Sequence, residues 1–256
     1  LEFRRVLFRS YFAAAPNKEV TGITFNHRMY VIECLDADPL TGTWTEKGQI
    51  KTGWESFSLD ATILQHKGKL YYIWAQEDRN VNYESHSNIY IAEMENPWTL
   101  RTKPVMLTQP LLDWEIKIFW VNEGPSILKK NGKIFLTYSA SATDENYCMG
   151  MLVVNENDDL LDPKSWKKLE KPVFKTSYKN KQYGPGHNSF TVSEDGMKDL
   201  LVYHARNYTD IEGDPLYDPN RHTRVQVIEW DKDGFPIFGE PVMDTRNVDF
   251  DSLRKK

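Results

Sequence analysis

The sequence predicts an all-β chain built from a repeated four-stranded unit, the content of a propeller blade. Three observations lead there. A strand–turn–strand pattern recurs at offsets of 64 and 63 residues when Ile63, Ile127 and Phe190 are aligned. A second marker, Asp/Pro/Gly turn chemistry followed by a Trp and a short apolar strand, follows each hairpin after a gap of some twenty to thirty residues. No amphipathic helix of three turns is legible anywhere. A β-sandwich is the competing all-β architecture, but a sandwich does not predict a long period.

The elements follow in chain order. LEFRRVLFRS (1–10) matches no position of the repeat and reads as foreign sequence, so the domain is expected to run from 11 to 256. YFAA (11–14) is the remnant of an inner strand, and ITFNHRMYVIE with the Trp44 marker forms the outer half of a blade over 20–50. The first full hairpin is ATILQHKGKLYYIWA (61–75), turning at Lys67-Gly68-Lys69; an alternating strand, SNIYIAEM (87–94), and the marker ENPWTLRTKPVML (95–107) follow it. The second is SILKKNGKIFLTYSA (126–140), turning at Asn131-Gly132-Lys133, with MGMLVVN (149–155) and DPKSWKKLEKPVF (162–174) behind it. The third is SFTVSEDGMKDLLVYHA (189–205), turning at Glu194-Asp195-Gly196. Asn-Gly and Asp-Gly favour tight hairpins because both tolerate positive φ. Units thus occupy 60–122, 123–186 and 187–240, about three and a half blades of a ring whose beginning is missing.

Composition narrows the function classes. With 32 Lys+Arg against 37 Asp+Glu the net charge is -5, which removes the electrostatic reason to expect a nucleic-acid or anionic-membrane partner. No run approaches the ~20 apolar residues of a membrane span. Two cysteines, Cys34 and Cys148, define neither a disulfide framework nor a thiolate zinc site. The chain carries 8 Trp, 13 Tyr and 12 Phe, residues that suit pleated surfaces and also stack on sugar rings. GPGHNS (184–189) lacks the third glycine of a dinucleotide fingerprint and opens no helix, and Asn207-Tyr208-Thr209 is a chance glycosylation sequon.

In a propeller the first strand of each blade lines the central channel, and ligands bind at one mouth. The starts of the three first strands are Ser58-Leu59-Asp60-Ala61, Asn122-Glu123-Gly124-Pro125 and Gly186-His187-Asn188-Ser189. Equivalent points of three neighbouring blades therefore carry Asp60, Glu123 and His187. Carboxylates converging in a narrow funnel suit acid–base chemistry, because their environments push their pKa values apart.

The strings SLDATIL, VNEGPSILKKNGKIFLTYSASATDENYCMGML, QYGPGHNSFTV and YHARNYTDIEGDPLYDPNRHTRVQ resemble glycoside hydrolase family 43, and within it the exo-acting α-L-arabinofuranosidases, over about 11–240. The resemblance implies a five-bladed β-propeller that hydrolyses glycosidic bonds with inversion, here truncated. It implies Glu123 as general acid and Asp60 as the carboxylate that tunes the acid and orients substrate. It implies His187 as the axial histidine that holds a hydrated calcium ion, and Arg224, at the start of the last inner strand, as a basic residue of the pocket. The family's general base, an Asp of the first blade, has no counterpart, so the chain as it stands is expected to be inert. Trp54, Phe57, Trp74 and Trp120 flank the hairpins and are expected to stack on or wall off a pentose. The implied partner is an arabinose-containing oligo- or polysaccharide, which lies outside the cell, so secretion is expected from the substrate. A carbohydrate-binding propeller without turnover is the alternative, and a protein-interaction scaffold ranks behind both.

Overall fold

A computed structural model describes residues 8–20, 25–81 and 86–244. Seventeen strands and three short 3₁₀ turns account for the regular structure among these residues, with no α-helix. The first sheet joins β1 (Phe8–Ala14), β2 (Arg28–Cys34) and β3 (Trp44–Gln49). The second joins β4 (Ser58–His66), β5 (Lys69–Gln76), β6 (Asn88–Asn96) and β7 (Thr99–Leu100), with β8 (Val105–Thr108) also on β6. The third joins β9 (Asn122–Lys130), β10 (Lys133–Ala140), β11 (Cys148–Asn155) and β12 (Lys167–Lys168). The fourth joins β13 (Tyr183–Val192), β14 (Asp199–Arg206) and β15 (His222–Val227); a small hairpin, β16 (Glu229–Trp230) with β17 (Pro236–Ile237), follows.

Three apolar layers hold the sheets face to face in chain order. Met29 and Val31 of the first sheet pack on Tyr72, Trp74 and Tyr90 of the second. The opposite face of the second sheet, with Tyr71, Ile73 and Ile91, packs on Ile134, Leu136 and Leu152 of the third. Phe135, Met151 and Val153 then turn the other way, onto Leu201, Tyr203 and Ala205 of the fourth. Period-2 alternation therefore buries both faces of the middle strands, and each fully buried large apolar side chain contributes ~1.5–3 kcal/mol. The strand over 87–94 accordingly departs from the expected alternation: β6 is buried at every position from Asn88 to Met94.

The first strands of successive sheets lie side by side, β1 by β4, β4 by β9 and β9 by β13, and this row positions the site. Two hairpins close tightly, with positive φ at Lys67 and Gly68 (48° and 76°) and at Asn131 and Gly132 (55° and 72°), as two-residue turns require. The third does not: β13 ends at Val192 and β14 begins at Asp199, so Glu194-Asp195-Gly196 sits inside a longer loop. There Ser193 and Met197 bond to the Asp195 carboxylate, a local arrangement that competes with the tight turn. β1 also starts three residues before the expected boundary at 11: Phe8, Arg9 and Ser10 pair with Cys34, Glu33 and Ile32, and Arg9 forms an ion pair with Glu33 at 2.8 Å. The rest of the supposed foreign segment, 1–7, lies outside the described residues.

Candidate active site

Each of the first strands β4, β9 and β13 carries a bulge where it faces its neighbours. The register shifts between Leu59 and Thr62, opposite Thr137–Ser139, and between Gly186 and Ser189. At each bulge one residue adopts the left-handed region: Asp60 (φ 51°), Gly124 (φ 57°) and His187 (φ 47°). These three, and not Asp60, Glu123 and His187, are the equivalent positions when the hairpins are aligned. Glu123 stands one residue earlier and pairs with Ser139. A bulge turns a side chain out of the regular alternation, and here it brings residues from non-equivalent positions to one point. Ligand atoms of Asp60, Glu123 and His187 all lie within 4.8 Å of one another.

Gly124 is the hinge of this cluster. Its N–H donates to Asp60 Oδ2 at 3.0 Å, and a Cβ added there would stand 3.3 Å from His187 Nδ1. The missing side chain thus leaves room for the imidazole. Asp60 Oδ1 faces His187 Nε2 at 3.8 Å.

Glu123 is half-buried, and the Tyr147 hydroxyl donates to its Oε1 at 2.6 Å. Burial is the largest influence on its acidity and the neighbouring Asp60 carboxylate the second. Together they raise the pKa from 4.5 to about 6 against the opposing effects of Tyr147, His187 and Arg221. Repulsion from Asp60 is therefore secondary to burial. Tyr147 is fully buried, its ring stacked on His204 at 5.6 Å, and the Ser139 hydroxyl accepts from the His187 N–H at 2.7 Å. Burial, with Arg221 next, holds His204 near a pKa of about 3, so its ring is neutral. Tyr147, His204 and Arg221 were not singled out from sequence; no spacing rule ties them to Glu123, and only the fold brings them together.

Glu123 opens onto a cleft of about 560 Å³ whose walls include Phe25, Phe57, His86, Phe119 and Leu216. Of the four aromatic residues expected against a pentose, Phe57 lines this cleft. Trp54 lies next door, in a cleft shared with Phe25, Phe57 and Arg79, and packs on Tyr90 at 4.9 Å. Trp74 is a correction: it is wholly buried between the first and second sheets, its Nε1 donating to Gln76, because an even position of β5 must face that layer. Trp120 is half-buried and is not among the residues lining the cleft; its neighbour Phe119 takes that place, because successive side chains diverge. Arg224 is a second correction. It stands on β15, the third strand of its sheet, and its guanidinium donates to the carbonyls of Ala205 and His222 and pairs with Asp244 at 3.2 Å.

A buried framework backs the site. Glu115, fully buried, pairs with Lys168 at 2.7 Å and accepts from Tyr138, the Asn122 amide and the N–H groups of Leu111 and Leu112. Asn122, next to Glu123, is thereby fixed at the start of β9. The arrangement as a whole holds a carboxylic acid protonated up to about pH 6 beside a second carboxylate. Inverting glycosidases separate acid and base by about 6.5–9.5 Å to admit a water. Asp60 and Glu123 are closer than that, side by side on neighbouring strands, so Asp60 does not stand where an inverting base would.

The chain matches known proteins along nearly its whole length. The sequence signature described as glycosyl hydrolases family 43 covers residues 8–236. An extracellular exo-alpha-(1->5)-L-arabinofuranosidase of Streptomyces avermitilis is 56% identical over 234 residues, 91% of this chain and 47% of that protein. Alpha-L-arabinofuranosidase 43 of Humicola insolens is 54% identical over 217 residues, 85% of this chain and 45% of that one. The crystal structure of an alpha-L-arabinofuranosidase from Lactobacillus brevis superposes with a TM-score of 0.90 at 61% identity, covering 94% of this chain and 74% of that chain. The chain spans about half the length of the first two relatives. With its three-sheet row of bulged strands and its paired carboxylates, the chain belongs to glycosyl hydrolases family 43.

Proposed function

We propose that this chain carries the acid half of an inverting exo-α-L-arabinofuranosidase site on part of a five-bladed β-propeller, here about three and a half blades. Glu123 protonates the leaving oxygen, and Asp60 tunes that acid and orients a sugar hydroxyl. The observation that carries this reading is the Glu123 carboxyl itself, raised to a pKa of about 6 by burial and by Asp60 and held by Tyr147. The relatives' names support arabinofuranosides as the substrate class, and an arabinose-containing oligo- or polysaccharide as the partner. The Streptomyces relative's description as extracellular supports an extracellular location.

Inversion needs a second carboxylate about 6.5–9.5 Å from the acid, and the first-blade Asp that the resemblance implies for that role is matched by no residue of this sequence. The 256-residue chain by itself is therefore expected to bind an arabinofuranoside without turning it over, which is how a non-catalytic carbohydrate-binding propeller would behave. General-base assistance is worth ~10²–10⁴-fold. Hydrolysis of a nitrophenyl α-L-arabinofuranoside is to be compared between this chain and the same chain joined to a first-blade segment that carries the general-base Asp. In the restored enzyme Glu123→Gln should abolish turnover of poor leaving groups while sparing arabinofuranosyl fluoride, whose departure needs no proton. Equal loss on both substrates would remove Glu123 from the role of acid.

His187 is proposed as the protein ligand of a hydrated calcium ion. Calcium takes 6–8 ligands and prefers oxygen. Two carboxylate oxygens here are already engaged, Asp60 Oδ2 by Gly124 and Glu123 Oε1 by Tyr147. The donor set thus suits an ion whose shell is mostly water. Such an ion would supply positive charge beside Asp60.

A further inference from the structure

Ile118 is the least expected residue of the Glu123 cleft. It is 78% exposed, yet its backbone occupies the left-handed region at φ 65°. The Phe119 N–H donates to the Lys117 carbonyl at 2.7 Å, closing a γ-turn of the strained, positive-φ kind around Ile118. A β-branched residue is badly suited to that conformation, and an exposed one gains no core packing in return.

The turn persists because its flanks are over-determined. The Lys117 N–H donates to Ser141 Oγ at 3.0 Å, and the Lys117 carbonyl also accepts from the Ala142 N–H at 3.1 Å. Ser141, itself buried at φ 73°, donates to the Trp114 carbonyl at 2.7 Å. On the other flank the Phe119 ring stacks on His86 at 4.0 Å and on Phe25 at 5.7 Å. Residues held in sparsely populated conformations by such surroundings gather where a side chain must be aimed. What this turn aims is an aliphatic side chain at the rim of the cleft into which Glu123 opens.

The cleft can be assigned to one side of the scissile bond. Its lining includes Glu123 but neither Asp60 nor His187. An acid that protonates the leaving oxygen stands between the sugar being released and the group that departs. The polar cluster of Asp60, Glu123 and His187 suits sugar hydroxyls, and the cleft, which shares only Glu123 with that cluster and is largely apolar, suits the departing group.

Resting on the arabinofuranosidase reading, we propose that Ile118 is a specificity-determining residue, which packs on a ring with an apolar face in the leaving group of the glycoside. An aryl ring or the C–H face of a second sugar meets that description, and a methyl group does not.

The test is calorimetric binding to the full 256-residue chain of three ligands: methyl α-L-arabinofuranoside, nitrophenyl α-L-arabinofuranoside and an α-1,5-linked arabinobiose. The unsubstituted chain should bind one or both ring-bearing ligands more tightly than the methyl glycoside, and which one distinguishes an aryl from a sugar leaving group. Ile118→Gly, which accepts the left-handed turn, should keep or raise the melting temperature and weaken ring-bearing ligands by about tenfold. It should leave the methyl glycoside unchanged. Ile118→Val should retain the preference for a ring. Equal binding of all three ligands by the unsubstituted chain, or equal weakening or none in Ile118→Gly, would overturn the inference and leave the arabinofuranosidase reading standing. Binding of none of the three by the unsubstituted chain would overturn that reading, and this inference with it.

Discussion

Glu123→Gln should stabilise the protein at neutral pH, although it removes the proposed catalytic acid. Folding lifts the Glu123 pKa from 4.5 to about 6. Below pH 4.5 the carboxyl is neutral in both folded and unfolded chains, and it costs nothing. Between pH 4.5 and about 6 the unfolded chain releases the proton while the folded one retains it, so stability falls as pH rises. Above about pH 6 the loss is complete. At about 1.4 kcal/mol per pH unit it amounts to about 2 kcal/mol. Glutamine does not titrate, and its carbonyl still accepts from Tyr147. Urea unfolding of the two chains at intervals from pH 4 to 7.5 should show near-constant relative stability below pH 4.5. The variant should then gain about 2 kcal/mol by pH 7, or roughly 4–8 °C in melting temperature. A difference that stays constant across the whole range, or that moves in the parent's favour as pH rises, would refute the burial argument for Glu123.

Other perturbations follow from the same contacts. Asp60→Asn removes a neighbouring negative charge and should lower the Glu123 pKa, shrinking the loss of stability with pH; Tyr147→Phe removes a hydrogen bond that favours the ionised form and should shift that loss to higher pH. The same urea series decides both, and movement in one direction by the two variants would count against the assignment. Glu115→Ala should cost about 3–5 kcal/mol, because it strands the largely buried Lys168 cation and takes away an acceptor from Asn122 and from Tyr138; a loss below about 1 kcal/mol would show that the framework behind β9 is not held this way. Calorimetric titration with Ca²⁺ should show binding that His187→Ala abolishes, and unchanged binding in that variant would remove His187 as a ligand.

The sequence by itself determined the all-β class, the three hairpins and the identity of the clustered residues. Strand alternation, Asn-Gly turns and a repeat near 64 residues are local signals, legible without knowing how the sheets meet. Asp60, Glu123 and His187 could be picked out because each lies near the start of the first strand of a repeated unit, and the sheets do set β4, β9 and β13 in a row. Tertiary structure decided the rest. Whether a Trp faces a cleft or a neighbouring sheet depends on which face of its strand is covered, so Trp74 went to the core and Phe119, not Trp120, to the cleft. Arg224 looked like an inner-strand residue until pairing placed β14 between β15 and the row. The Glu123 pKa is set above all by burial, a property of the assembled sheets, and its hydrogen bond comes from Tyr147, which lies 24 residues away in the chain. The bulges made the last decision. A left-handed residue at Asp60, Gly124 and His187 shifts the register of each first strand, so residues from unequal positions meet within 4.8 Å, a convergence that no count along the chain contains.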